Sequence, residues 1–179
     1  MLQAACRAAG KEGAAAPARN SLGTSAMIRR ALLSGTLAAG AVTLVASFAA
    51  RRTTGSSAAA LNATSHVLWG DRAARQDAYS VKYTATGFAA NYGASVFWAL
   101  FYEFLAQGKH RSRTRALVDG ALVSAAAYVT DYHLVPKRLT PGFELRIPRT
   151  ALALVYAALA LGLSARDLLP SPSADREGP

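Results

Sequence analysis

The stretch ALLSGTLAAGAVTLVASFAA, residues 31–50, has no charged residue and is bracketed by Arg30 and Arg51. A helix of about 20 residues rises about 30 Å, the thickness of a bilayer's hydrocarbon core. Basic pairs flank it, Arg29–Arg30 before and Arg51–Arg52 after, where cationic side chains meet lipid headgroups. Gly35 and Ala39 lie on one helix face, so two small residues let a neighbouring helix come close. A cleaved signal peptide, cut after SFA, is the competing reading. Signal cores run only about 7–15 residues, so the longer run here predicts a retained helix.

Three further segments follow. Residues 84–107 carry Gly87, Asn91, Ser95, Trp98 and Tyr102 at helical spacing, a small and polar face that turns toward other helices in lipid. Residues 116–135 hold Asp119 and Asp131 near their two ends. There a carboxylate costs less than the roughly 2.5–3.5 kcal/mol of a helix centre. Residues 150–165 sit between Arg149 and Arg166, whose long side chains snorkel outward and lengthen the span. The expectation is an all-α fold, an integral membrane bundle of four transmembrane helices within residues 27–168. The tails, 1–26 and 169–179, are read as disordered from their Ala, Gly, Ser, Pro and Arg usage. In the first loop, the run up to Gly70 predicts a short interfacial helix, with Leu68 and Trp69 at the membrane surface.

Composition agrees. Of 179 residues, 52% are apolar and 17% charged, against about 25% charged in ordinary soluble domains. The formal charge is +10, but the basic residues flank apolar runs instead of gathering on one face. That placement favours membrane lipids as partners and argues against nucleic acid. The short loop GKHRSRTR, residues 108–115, contributes Lys109, Arg111, Arg113 and Arg115 with no acid. Short basic loops stay in the cytoplasm, so with four spans both termini are cytoplasmic. The Ala- and Arg-rich usage suggests a bacterial inner membrane. Cys6 is the lone cysteine, so no intramolecular disulfide or cysteine metal cluster exists.

Candidate chemistry collects on the face shared by residues 51–83 and 136–149. His66, Asp71, Lys82, Asn91, Asp131, His133 and Arg138 all belong to that side and form a candidate polar site. His titrates near neutral pH, but Asp131 and His133 diverge by about 200° on a regular helix, so each needs its own partners. The bland reading pairs Asp131 with Lys82 or Arg138 and leaves His133 among headgroups. Glu103 and Asp119, near the opposite face, form a second candidate, with ion pairing to the basic loop as its bland reading.

Four-helix membrane cytochromes and small four-helix exporters resemble this chain in span count. The cytochromes ligate haem through His pairs inside helices, and here only His66 and His133 share a face. The exporters keep their essential Glu in the first helix, and residues 31–50 have no acid. Zinc lacks recognisable ligand spacing, and no nucleophile triad, P-loop or dinucleotide motif is present. No cofactor is expected. The leading expectation is a non-enzymatic accessory or structural envelope protein, bound to another membrane protein or to itself as a homo-oligomer. A small proton-linked transporter or channel acting as an oligomer is the first alternative, requiring Asp131 or Glu103 to face a wet cavity. A haem- or metal-dependent redox protein is the second.

Overall fold

The computed structural model describes residues 16–106 and 111–169, with side chains from Gly23 onward. Lys109 and residues 1–15 and 170–179 lie outside the described residues. The chain is all-helical, with no strand among the described residues. Its elements are α1 (Ala16–Thr54), α2 (Ala59–Thr64), α3 (His66–Trp69), α4 (Asp71–Ala74), α5 (Thr86–Ala106), α6 (Arg113–Val129) and α7 (Arg149–Leu168). A π-helical turn, Val81–Ala85, leads into α5, and another, Thr130–Leu134, extends α6. Segments 31–50 and 150–165 fall within α1 and α7, and the described parts of 84–107 and 116–135 are covered by α5 and α6 with their π turns, save Val135. Helix α1 begins at Ala16, so residues 16–26, assigned by composition to the tail, are helical.

Local signals start the helices where they begin. Ser112 caps α6 by accepting from the Arg115 amide at 3.2 Å. Ser80 does the same for the turn before α5, accepting from Tyr83 N at 3.0 Å, which satisfies a donor that a helix start leaves free. Pro148 precedes α7, where its missing N–H costs nothing.

Helices α1, α5, α6 and α7 form an up-down-up-down bundle, and side-chain contacts fix the alternation. Ser34 near the middle of α1, Glu103 at the end of α5, Asp119 at the start of α6 and Asp167 at the end of α7 share one polar cluster. At the other end, Asp131 beyond α6 reaches Tyr156 in the first half of α7. Small residues set the spacing. Gly35 of α1 faces Val96 of α5, Gly162 of α7 faces Ala38 of α1, and Gly120 of α6 faces Ala160 of α7.

Two helical stretches, Gly23–Thr54 and Arg149–Leu168, are long and apolar enough to cross a membrane, with mean hydropathy 1.8 and 1.5. Helix α6 alone has 17 residues, and α5 dilutes its apolar residues with Asn91, Ser95 and Glu103; neither meets that criterion. The bundle keeps an apolar core that includes Val42, Val123, Val155 and Leu163, but many large apolar side chains face outward and several polar ones face inward. Leu32, Leu44, Phe48, Phe97, Phe104, Leu122 and Leu154 are exposed, while Ser34, Asn91, Ser95, Glu103, Asp119, Ser124 and Ser164 are buried.

The first-loop helix corrects an expectation. It does not lie on the surface: every residue of α2 is buried. Gly87 of α5 has no Cβ, and the Leu61 carbonyl occupies the space that a Cβ would need. Buried polar groups must find partners, and Asn62 supplies three bonds here. Its Nδ2 donates to Gln76 O at 2.9 Å and Ala78 O at 3.0 Å, and its Oδ1 accepts from Thr84 Oγ1 at 2.7 Å. Only the far end of the segment is exposed, at Leu68 and Trp69.

Candidate functional site

Two polar regions occupy opposite ends of the bundle, and they differ in how charge is balanced. The first is closed. Arg111 lies beneath the bundle end with its side chain 4% exposed. It binds Asp119 at 3.1 Å and Asp167 at 3.2 Å, stacks over the Tyr102 ring at 3.9 Å and donates to the Tyr102 carbonyl. Arg115 adds an ion pair to Asp119 at 2.8 Å. Arg166 joins Glu103 at 3.1 Å to Asp167 at 3.0 Å, and Ser34 donates to Glu103 at 3.0 Å. Tyr102 donates to Asp167 at 2.8 Å. Each of the three carboxylates thus has at least one arginine, as a buried charge requires.

This end revises one assignment. The basic loop offers Arg111 two roles, headgroup or topology residue and ion-pair partner of Glu103 or Asp119, and the structure shows the second, with Asp119. Its burial depends on Asp167, more than fifty positions away in the chain, which the sequence reading did not single out. Arg29, Arg30, Arg113 and Arg115 are exposed, where headgroups or water meet them. Glu103 is hydrogen-bonded by Ser34 and paired with Arg166, and Asp119 is ion-paired with Arg111 and Arg115, although its Oδ1 accepts no hydrogen bond.

The second region is open. A cavity of about 150 Å³ lies between α1, α5, α7 and the loop after α6. Val42, Trp98, Phe143, Val155 and Leu159 give it apolar walls, and Asn91, Ser95, Asp131 and Tyr156 give it polar atoms. Thr64 and Val67 from the first loop and Leu139–Pro141 from the last loop complete the wall. The last loop reaches inward because Gly142 adopts φ +78°, a left-handed conformation with little cost for glycine, and because Phe143 is buried.

Asp131 sits in the π-helical turn, a distortion that recurs at functional sites. It accepts a hydrogen bond from Tyr156 Oη at 2.6 Å. No arginine, lysine or histidine forms an ion pair with it among the described residues. The expected pairing with Lys82 or Arg138 does not form. The Lys82 ammonium lies 4.7 Å from the centre of the Trp69 ring, and Arg138 is exposed. Asn91 donates to Ala39 O at 3.3 Å and Thr43 Oγ1 at 3.1 Å.

Of the seven sequence candidates, the cavity brings together Asn91 and Asp131. His66 is buried nearby, its Nδ1 2.9 Å from Ala63 O and its Nε2 3.4 Å from Lys137 O. It therefore joins the two loops and does not line the cavity. Asp71 is exposed. His133 points into a separate groove between α6 and α7, edge-on to Tyr128 at 5.7 Å between ring centres. No group of three or more His, Cys, Asp or Glu among the described residues is placed to hold a metal.

The sequence reading missed Tyr156, Tyr132 and Glu144. Tyr132 donates to Glu144 at 3.0 Å, and Thr140 to its other oxygen at 2.7 Å. Tyr156 did leave a signal, since it interrupts an otherwise apolar run between Thr150 and Ser164. No protein-family model matches the chain, and no curated protein or solved structure is significantly similar to it.

Proposed function

We propose that this chain is a non-enzymatic integral membrane protein of four spans that takes up a small molecule in the Asp131 cavity, as a binding or transport protein. The four-span reading is supported by the exposed Leu and Phe side chains on all four long helices and by the polar groups turned inward. A surface so apolar is soluble only against another apolar phase. Helix α5 has 21 residues, about 30 Å of rise, and α6 with its π turn runs continuously from Arg113 to Leu134. In a bacterial inner membrane with cytoplasmic termini, the cavity then opens toward the periplasmic side.

The observation that carries the functional reading is the Asp131 carboxylate, which faces an apolar cavity with no cation beside it. The three carboxylates at the closed end all have arginine partners. A group left unbalanced in this way is placed for a proton or a ligand.

A second reading, an accessory subunit, draws on the groove between α6 and α7. Its volume is about 890 Å³, and Ala121, Ala125, Ala153 and Ala157 line it, small residues of the kind that admit a neighbouring helix.

Two experiments test these readings. Single cysteines at Asp71, Arg113 and Arg138, in a Cys6→Ser background, are labelled on intact spheroplasts with an impermeant maleimide. Four spans predict labelling at Asp71 and Arg138 but not at Arg113. Equal labelling of all three places α5 and α6 on one side and removes the four-span reading. Native mass spectrometry of protein extracted gently from its own membrane tests function. A small-molecule adduct that Asp131→Asn abolishes supports the cavity reading, and a second polypeptide with an empty cavity supports the accessory one.

A further inference from the structure

The ligand's chemistry follows from which polar atoms the cavity leaves free, and this inference rests on the reading of the cavity as a small-molecule site. Both amide hydrogens of Asn91 are used, by Ala39 O and Thr43 Oγ1. Ala39 O can only accept, so the Asn91 orientation is fixed and its Oδ1 is what remains to offer. Tyr156 spends its hydrogen on one oxygen of Asp131, and the second oxygen has no protein donor. Thr64 donates to Ala60 O at 3.2 Å. The free atoms of these side chains are acceptors, one of them on a carboxyl group with no ion-pair partner among the described residues, and the Ser95 hydroxyl, which also lines the cavity, can donate as well as accept.

We propose that the cavity binds an organic amine in its ammonium form, bearing one apolar group about the size of a phenyl ring. A cavity near 150 Å³ with apolar walls accommodates about one benzene-sized group. Trp98 lines the same space, and an indole face attracts a cation. The ammonium hydrogens go to Asp131 and Asn91 Oδ1, and the ligand's charge balances the carboxylate that no residue balances. An ammonium holds the carboxylate in its ionised form, whereas a neutral ligand leaves it without a counter-charge in apolar surroundings that favour the protonated acid.

The test compares 2-phenylethylamine with its neutral isostere, 2-phenylethanol. Protein in nanodiscs carries Trp69→Phe, so that Trp98 is the sole tryptophan emitter, and empty nanodiscs correct for partitioning into lipid. Saturable change in Trp98 emission is expected with the amine, with at least tenfold weaker binding of the alcohol. Asp131→Asn is expected to remove the amine's advantage. Equal binding of both compounds to the wild-type chain overturns the ammonium assignment but leaves the cavity as a small-molecule site. Binding of neither overturns both. The wild-type comparison decides the matter even where Asp131→Asn fails to fold.

Discussion

Replacing Gly87 with alanine adds one methyl group at the point where α2 enters the bundle. The new Cβ overlaps the Leu61 carbonyl oxygen and lies 2.6 Å from its carbon. Carbon atoms in contact sit about 3.5–4.0 Å apart, so the carbon alone asks α2 to retreat by roughly 1 Å and the overlapping oxygen asks for more. The obstacle is backbone, which no rotamer change relieves. Overpacking of this kind costs about 1–3 kcal/mol. At about 2–4 °C per kcal/mol for a chain of this size, the midpoint should fall by roughly 2–12 °C. Gly93→Ala is the matched control, the same change in the same helix with no heavy atom within 4 Å of the added Cβ. It should leave the midpoint unchanged or raise it slightly, since alanine favours helix over glycine by about 1 kcal/mol at most. The assay is thermal unfolding in one detergent, followed by intrinsic fluorescence. Equal midpoints for the two variants would refute the buried position of α2. A drop in Gly87→Ala without weaker cavity binding would show that α2 is a structural wedge only, since Thr64 at its end lines the cavity.

Other perturbations probe the closed end and the first loop. Asp119→Ala leaves Arg111 buried without its closest carboxylate and should cost about 3–5 kcal/mol, seen as poor folded yield or a large fall in unfolding midpoint. Arg115→Ala removes the partner that is 62% exposed and should cost under about 1 kcal/mol; comparable losses in the two variants would contradict the burial difference. Asn62→Ala deletes the side chain that ties residues 76, 78 and 84 to α2, at about 1–3 kcal/mol. Hydrogen exchange should quicken in peptides covering 76–85 and stay unchanged in α7, and uniform quickening would argue against a local tie.

The four long helices were legible because charge brackets each apolar run, and the bracket is a local signal. The stripes were legible too. Asn91, on the face read from spacing, is buried and donates to Ala39 O at 3.3 Å across the α1–α5 contact. What escaped depended on residues far apart in the chain. The depth of α2 is set by Gly87, and its composition alone also suits a surface helix whose Leu68–Trp69 end stays exposed. Arg111 has the local context of a headgroup residue, and only Asp119 and Asp167 together draw it inward. Asp131 was picked out, but not its partner, because a Tyr in an apolar run usually means packing. The early start of α1 was missed because alanine and arginine serve helix and tail equally well, so composition does not separate them.

The enclosure of α2 also orders events during synthesis. The segment leaves the ribosome after α1, which forms one of its walls, yet α5 and the last loop with Phe143, which also enclose it, are made later. Six residues of modest hydropathy cannot cross a bilayer by themselves, and a helix this short is not stable alone in water. Ala59–Thr64 is therefore fully enclosed only once α5 and residues 139–143 are in place. A chain that stops before residue 143 leaves it without a roof, so the bundle's interior marks a finished polypeptide.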